Sequence, residues 1–186
     1  AMKKTANFDW WLTGFCLSRT FMSLIFMTYS AALPVLQRQW QMSAAAAGSV
    51  SSAFHFSYAL SLILFSNLAD RFGAKPLYTG SMTGAAVFSL GFAFFAKDYY
   101  SALYLYPLVA FSVGGTYTTG LILLADQYPV RRRGMAIGFF IASSSSGYAL
   151  SLLVSGAAIP IGGYRLSFLL TCSGPTIAAI LAWITL

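Results

Sequence analysis

Six stretches of this sequence, at about residues 10–33, 43–66, 77–96, 101–126, 134–158 and 164–186, stay apolar for some twenty residues each. A helix needs about 20 such residues to cross the roughly 30 Å hydrocarbon layer of a bilayer. Only 8% of the 186 side chains are charged, whereas a soluble chain draws its polar shell from about a quarter. Lipid must therefore be the solvent for most of this surface. In lipid the backbone has to satisfy its own hydrogen bonds, and stretches of this length do so as helices. The expected fold class is an all-α membrane protein, a six-transmembrane-helix bundle forming one domain over 1–186. The connections are short, which makes consecutive helices antiparallel neighbours and leaves no room for a soluble domain.

Each connection carries residues that stop, cap or turn a helix. Pro34 follows the first stretch and Ser43 is placed to cap the second. Gly73 and Pro76 precede the third, Lys97 and Asp98 separate the third from the fourth, and Pro129 precedes the fifth. Pro160, Gly162 and Gly163 precede the sixth. Lys and Arg are retained in short cytoplasmic loops. With the N-terminus inside, the inner segments hold Lys3, Lys4, Arg71, Lys75, Arg131, Arg132 and Arg133, against Arg38, Lys97 and Arg165 outside. The chain is expected in a cell membrane, the bacterial inner membrane, with both ends cytoplasmic. The same asymmetry accounts for the net charge of +7 without a nucleic-acid partner. Lys3 and Lys4 before an apolar run imitate a signal peptide, but the run reaches about Leu33, past the usual 7–15 residues; it reads as a retained span. Cys16 and Cys172 sit in apolar stretches, with neither a disulfide framework nor a metal-ligand spacing.

Two loops carry motifs. Ser66-Asn67-Leu68-Ala69-Asp70-Arg71-Phe72-Gly73-Ala74-Lys75-Pro76 follows the second stretch, and Asp126-Gln127-Tyr128-Pro129 with Arg133-Gly134 follows the fourth. The first resembles the G-x-L-A-D-R-x-G-R/K-R/K signature between helices two and three of the major facilitator superfamily, with Ser66 and Ala74 as departures. The second resembles the acidic–proline–arginine–glycine stretch between helices four and five of that superfamily, and Gly163-Tyr164-Arg165-x-x-Phe168 resembles its G-W-R-x-x-F. The resemblance implies the N-terminal six-helix half of the major facilitator fold, and a cytoplasmic gate built from Asp70, Arg71, Gly73, Lys75, Asp126 and Arg133. Gly73 suits a turn that needs positive φ. Superfamily members usually pair two such halves, so the implied partner is a C-terminal six-helix half or a second copy of this chain. Gly138 and Gly147 keep part of a drug-antiporter spacing, but Ser151-Leu152 stands where its Gly-Pro should be.

Inside the stretches only Arg19 and His55 are ionisable and far from an end. An arginine at mid-membrane is costly, about 2.5–3.5 kcal/mol on the lenient insertion scale, and requires a partner or water. By the resemblance, the first and fourth helices line the central cavity, which aims Arg19 into the substrate path; the alternative is an arginine bonded within the bundle. Tyr29 shares a helix face with Arg19, His55 lies midway down the second stretch, and the fourth offers Thr116, Tyr117 and Thr119. Arg19, Tyr29, His55 and Tyr117 are the candidate substrate-binding residues. Asp9, Asp70, Asp98 and Asp126, the four acids, all sit at stretch ends. A cation without an acid suits a small organic anion, which guanidinium binds through paired hydrogen bonds. His55 is the side chain of this half able to carry a coupling proton near neutral pH. Ser143–Ser146 and Gly147 read as close helix packing. The function expected is secondary transport of an anion by alternating access. Efflux of drugs or hydrophobic metabolites, and a half-size membrane scaffold, are the alternatives. Enzyme chemistry, metals and cofactors are not expected, since no nucleophile–base pair, ligand cluster or phosphate-cradling loop is present.

Overall fold

A computed structural model describes residues 9–186; Lys3 and Lys4 lie outside the described residues. The described residues are helical nearly throughout. Helix α1 spans Trp10–Gln39, α2 Ala44–Phe72, α3 Ala74–Phe95 and α4 Tyr99–Gln127. The last helical stretch, Val130–Thr185, holds 56 residues. At about 1.5 Å per residue a straight rod of that length would reach about 84 Å, far beyond a bilayer. It is not straight. Gly162 (φ −133°, ψ 16°) and Gly163 (φ 67°, ψ −167°) leave helical geometry, dividing it into α5, residues 130–161, and α6, residues 164–185.

Contacts along α1 show that the two arms run in opposite directions. The Thr20 hydroxyl donates to the Ser143 carbonyl and the Ser151 hydroxyl to the Leu24 carbonyl, so α5 climbs with α1. The Ser18 hydroxyl donates to the Ala178 carbonyl, while Gly174 lies against Phe21 and Leu24, so α6 descends. Six helices cross the bundle, as the fold class required. Gly163 makes the reversal possible, because its left-handed φ is one that a side chain would strain.

The helices begin and end on local chemistry. Asp9 Oδ1 caps α1 at Leu12 N (3.1 Å), Ser43 Oγ caps α2 at Ala46 N (3.1 Å), and Asp98 forms a capping box with Ser101 on α4. The Ser101 hydroxyl and backbone N–H hold the Asp98 carboxyl below the usual carboxylate range. Gly73, at φ 84°, alone separates α2 from α3. Pro34 does not end the first helix: it lies inside α1, which continues to Gln39. Its missing N–H removes one ladder bond, and the following turns re-form. Pro160 likewise lies within α5, leaving the break to the two glycines.

Packing divides the helices into two sets of three. Helix α1 lies between α5 and α6, α4 lies between α2 and α3, and α3 against α6 joins the sets. Glycines set the closest approaches. A Cβ on Gly147 of α5 would sit 2.5 Å from Ser23 Cβ and closer still to the Thr20 carbonyl oxygen; one on Gly174 of α6 would sit 2.5 Å from the Phe21 carbonyl oxygen. These two approaches clamp α1 from two sides at a single turn, the one just after Arg19. Large apolar side chains such as Phe56 (75% exposed) and Ile184 (75%) stand outward, as an apolar solvent permits.

Candidate functional site

Arg19 is 1% exposed and sits where α1, α4 and α5 meet. Its Nε–H donates to Ser144 Oγ at 2.7 Å and its Nη1 to Thr116 Oγ1 at 3.2 Å. Each hydroxyl is oriented by its own helix. Ser144 Oγ donates to the Phe140 carbonyl and Thr116 Oγ1 to the Val113 carbonyl (2.7 Å), which turns their lone pairs toward the guanidinium. The cation also lies 5.0 Å from the Tyr117 ring centroid and 5.1 Å from that of Phe140. Ring faces attract such a charge by about 0.5–2 kcal/mol. Neutral oxygens and rings make up this cradle. Of the chain's four acids, Asp9 is nearest along the chain, ten residues away on the same helix, or about 15 Å of helical rise.

Above the guanidinium lie four half-buried rings, one from each of α1, α2, α4 and α5. Phe26 meets Tyr58 edge-on at 5.2 Å and Tyr148 at 5.2 Å, and Tyr117 completes the set over Arg19. Helices α3 and α6 contribute none of these rings, so one face of the bundle carries the charge and its aromatic cover. Below it, Phe15 stacks on Trp11 (4.9 Å), Tyr78 (5.1 Å) and Phe140 (5.4 Å).

Of the four candidate binding residues, the structure brings Arg19 and Tyr117 into contact and holds the other two apart from them. Tyr29 is fully buried; its hydroxyl donates to the Ala47 carbonyl (3.2 Å) and its ring packs on Tyr106. It ties α1 to α2 and α4 some 15 Å of helical rise beyond Arg19. His55 is exposed on α2, with Nδ1 donating to the Ser51 carbonyl (2.8 Å) and its ring edge on Phe54. Ser144, Phe140 and Tyr148 were not singled out as contacts in the sequence. The serine run hid Ser144, because only one of four consecutive serines on a helix can point at a given neighbour.

The motif residues gather at one end of the bundle. Asp70, Arg71, Gly73, Lys75 and Asp126 are exposed there, and Arg133 is half-buried with Nε donating to the Tyr128 carbonyl (2.9 Å). Arg71 lies over the Phe72 ring at 5.6 Å. The Tyr128 hydroxyl donates to Asp9 Oδ2, tying the end of α4 to the start of α1. Burial first, then that bond to a carboxylate, pushes the Tyr128 phenol well above its ordinary range. A groove of about 550 Å³ lies between α1 and α5 near this end, lined by Asp9, Cys16, Thr20, Phe139 and Ser143 among others.

Comparison with known proteins agrees with this architecture. The family model described as Major Facilitator Superfamily matches residues 15–186. A gallate transporter of Pseudomonas putida is 27% identical over 165 residues, 86% of this chain and 36% of that protein. The niacin transporter NiaP of Acinetobacter baylyi is 27% identical over 140 residues, 74% of this chain and 31% of that protein. In fold, a bacterial homolog of the human lysosomal transporter Spinster, solved inward-facing and occupied, superposes with a TM-score of 0.83 at 19% identity, over 94% of this chain and 43% of that one. The chain thus spans about a third of the length of these curated relatives.

Proposed function

Because the chain belongs to the Major Facilitator Superfamily, whose members are multi-pass membrane transporters and not enzymes, we propose that it is the N-terminal half of a secondary transporter carrying a small organic anion by alternating access. One observation carries the anion: among the described residues, a guanidinium buried in the middle of the bundle is held only by neutral hydroxyls and rings. A buried charge without a counter-charge is expensive, and a carboxylate arriving from the exposed face supplies one. Thr116 and Ser144 hold the fork in place before the anion arrives, so less ordering is left to be done at binding. The names of the gallate and niacin relatives support this reading, since both molecules are acids whose anions carry a carboxylate.

The exposed charges at the motif end serve the gate in this proposal. Asp70, Arg71, Lys75, Asp126 and Arg133 would meet the second half in one conformation and part from it in the other, with Gly73 holding the turn. That end faces the cytoplasm of a bacterial cell on the balance of basic residues: among those described, Arg71, Lys75 and Arg131 to Arg133 lie at it, and Arg38, Lys97 and Arg165 at the other. Tyr29 has a packing role, and His55 is left as the group for proton coupling.

Arg19→Gln tests the proposal in proteoliposomes holding the transporter as its gene encodes it. The glutamine keeps a donor but not the charge, and losing a charge-assisted bond of about 1.5–3 kcal/mol weakens anion affinity about 10- to 150-fold. Undiminished uptake of every carboxylate by a correctly folded Arg19→Gln variant would show that Arg19 is only a packing residue.

A further inference from the structure

The four rings over Arg19 define the shape of ligand that fits. Phe26 is seven residues beyond Arg19 on α1, two turns up the same face, or about 10 Å of rise. The walls are Tyr58 from α2, Tyr117 from α4 and Tyr148 from α5, all partly exposed. Aliphatic side chains would give an anion site of the same charge. Here all four positions are aromatic, and Phe26 already meets Tyr58 edge-on and Tyr148 at a tilt, with ring centroids 5.2 Å apart in each case, which are arrangements a further ring can join. All three walls also carry phenolic hydroxyls.

We infer that Phe26, Tyr58 and Tyr148 are specificity-determining residues that select a planar, ring-bearing monocarboxylate, with Arg19 taking the carboxylate and the three rings stacking on the body of the ligand. This rests on the anion reading of Arg19 and adds the shape of the anion to it. The hydroxyls of Tyr58 and Tyr148 would favour rings bearing hydroxyl groups or a ring nitrogen.

Benzoate and cyclohexanecarboxylate, equal in charge and carbon number but planar against puckered, separate the two ideas. Competition for counterflow in proteoliposomes holding the full transporter should show benzoate preferred about tenfold, the size of gain that one or two ring contacts supply. Phe26→Leu and Tyr148→Leu should each bring that ratio toward one by weakening benzoate more than cyclohexanecarboxylate. Tyr148→Phe should keep the preference for benzoate and lose any advantage of 4-hydroxybenzoate over benzoate. A wild-type ratio near one, or a ratio unmoved in both leucine variants, overturns the ring site while leaving the charge site standing, provided Arg19→Gln still weakens binding of both acids. If Arg19→Gln binds both acids normally, the charge reading fails first and the ring site with it. Elution of each variant as a single species in detergent separates lost recognition from lost folding.

Discussion

Replacing Gly147 by alanine should loosen the clamp that positions Arg19. The new Cβ would lie 2.5 Å from Ser23 Cβ and nearer still to the carbonyl oxygen of Thr20. Ordinary carbon contacts need about 3.5 Å or more, so α1 and α5 must part by about 1 Å at this turn. A backbone carbonyl cannot swing aside as a flexible side chain can. Overpacking of this kind costs about 1–3 kcal/mol, and alanine's better helix propensity returns at most about 1 kcal/mol. Gly80→Ala on α3 is the control, because a Cβ there meets nothing within 4 Å; it should be neutral or stabilising by up to about 1 kcal/mol. With roughly 2–4 °C of melting temperature per kcal/mol for a domain of this size, Gly147→Ala should melt about 3–8 °C below Gly80→Ala. In a Cys16→Ser background a thiol-reactive dye during heating reads this, since Cys16 is partly exposed while Cys172 is fully buried until the bundle opens. Parting the helices also stretches the 2.7 Å bond from Arg19 to Ser144, so anion affinity should fall together with stability. Equal melting temperatures for the two variants, or a lower one for Gly80→Ala, would refute the idea that α1 and α5 are held at backbone contact.

Two further outcomes follow from the geometry. The Tyr128 phenol is raised above its unfolded value by burial and by its bond to Asp9, so the folded state holds that proton more tightly. Its contribution is complete below the unfolded pKa of about 10 and is lost as pH rises beyond it; between pH 10 and 12 the wild type should therefore lose more melting temperature than Tyr128→Phe, and identical losses would remove the Asp9–Tyr128 tie. His55 contacts Ser51 and Phe54, not the Arg19 cradle, so His55→Gln should leave substrate KM within about twofold. A KM raised tenfold or more would place His55 at the ligand.

Much of this protein was legible in its sequence because the membrane leaves few options. Apolar length, with backbone groups that must pair inside lipid, dictated six helices; Gly73 marked a turn that suits a left-handed φ, and Pro160, Gly162 and Gly163 a break before the sixth helix; and an arginine among apolar residues marked the candidate site. The sequence also drew some boundaries in the wrong place. It read Pro34 as an end, whereas the helix absorbs the loss of one hydrogen bond and runs on to Gln39. What surrounds Arg19 was a tertiary decision. Ser144 is 125 positions from Arg19 and Thr116 is 97, and nothing local tells which serine of a run of four turns inward. Tyr29 and Tyr117 looked alike as aromatic neighbours of the charge, yet packing sent one to a carbonyl of α2 and laid the other on the guanidinium. The rotation and depth of each helix relative to its neighbours settle such matters, and these follow from where glycines let backbones touch. The period of one helix places a residue on a face; only the assembled bundle says what that face meets.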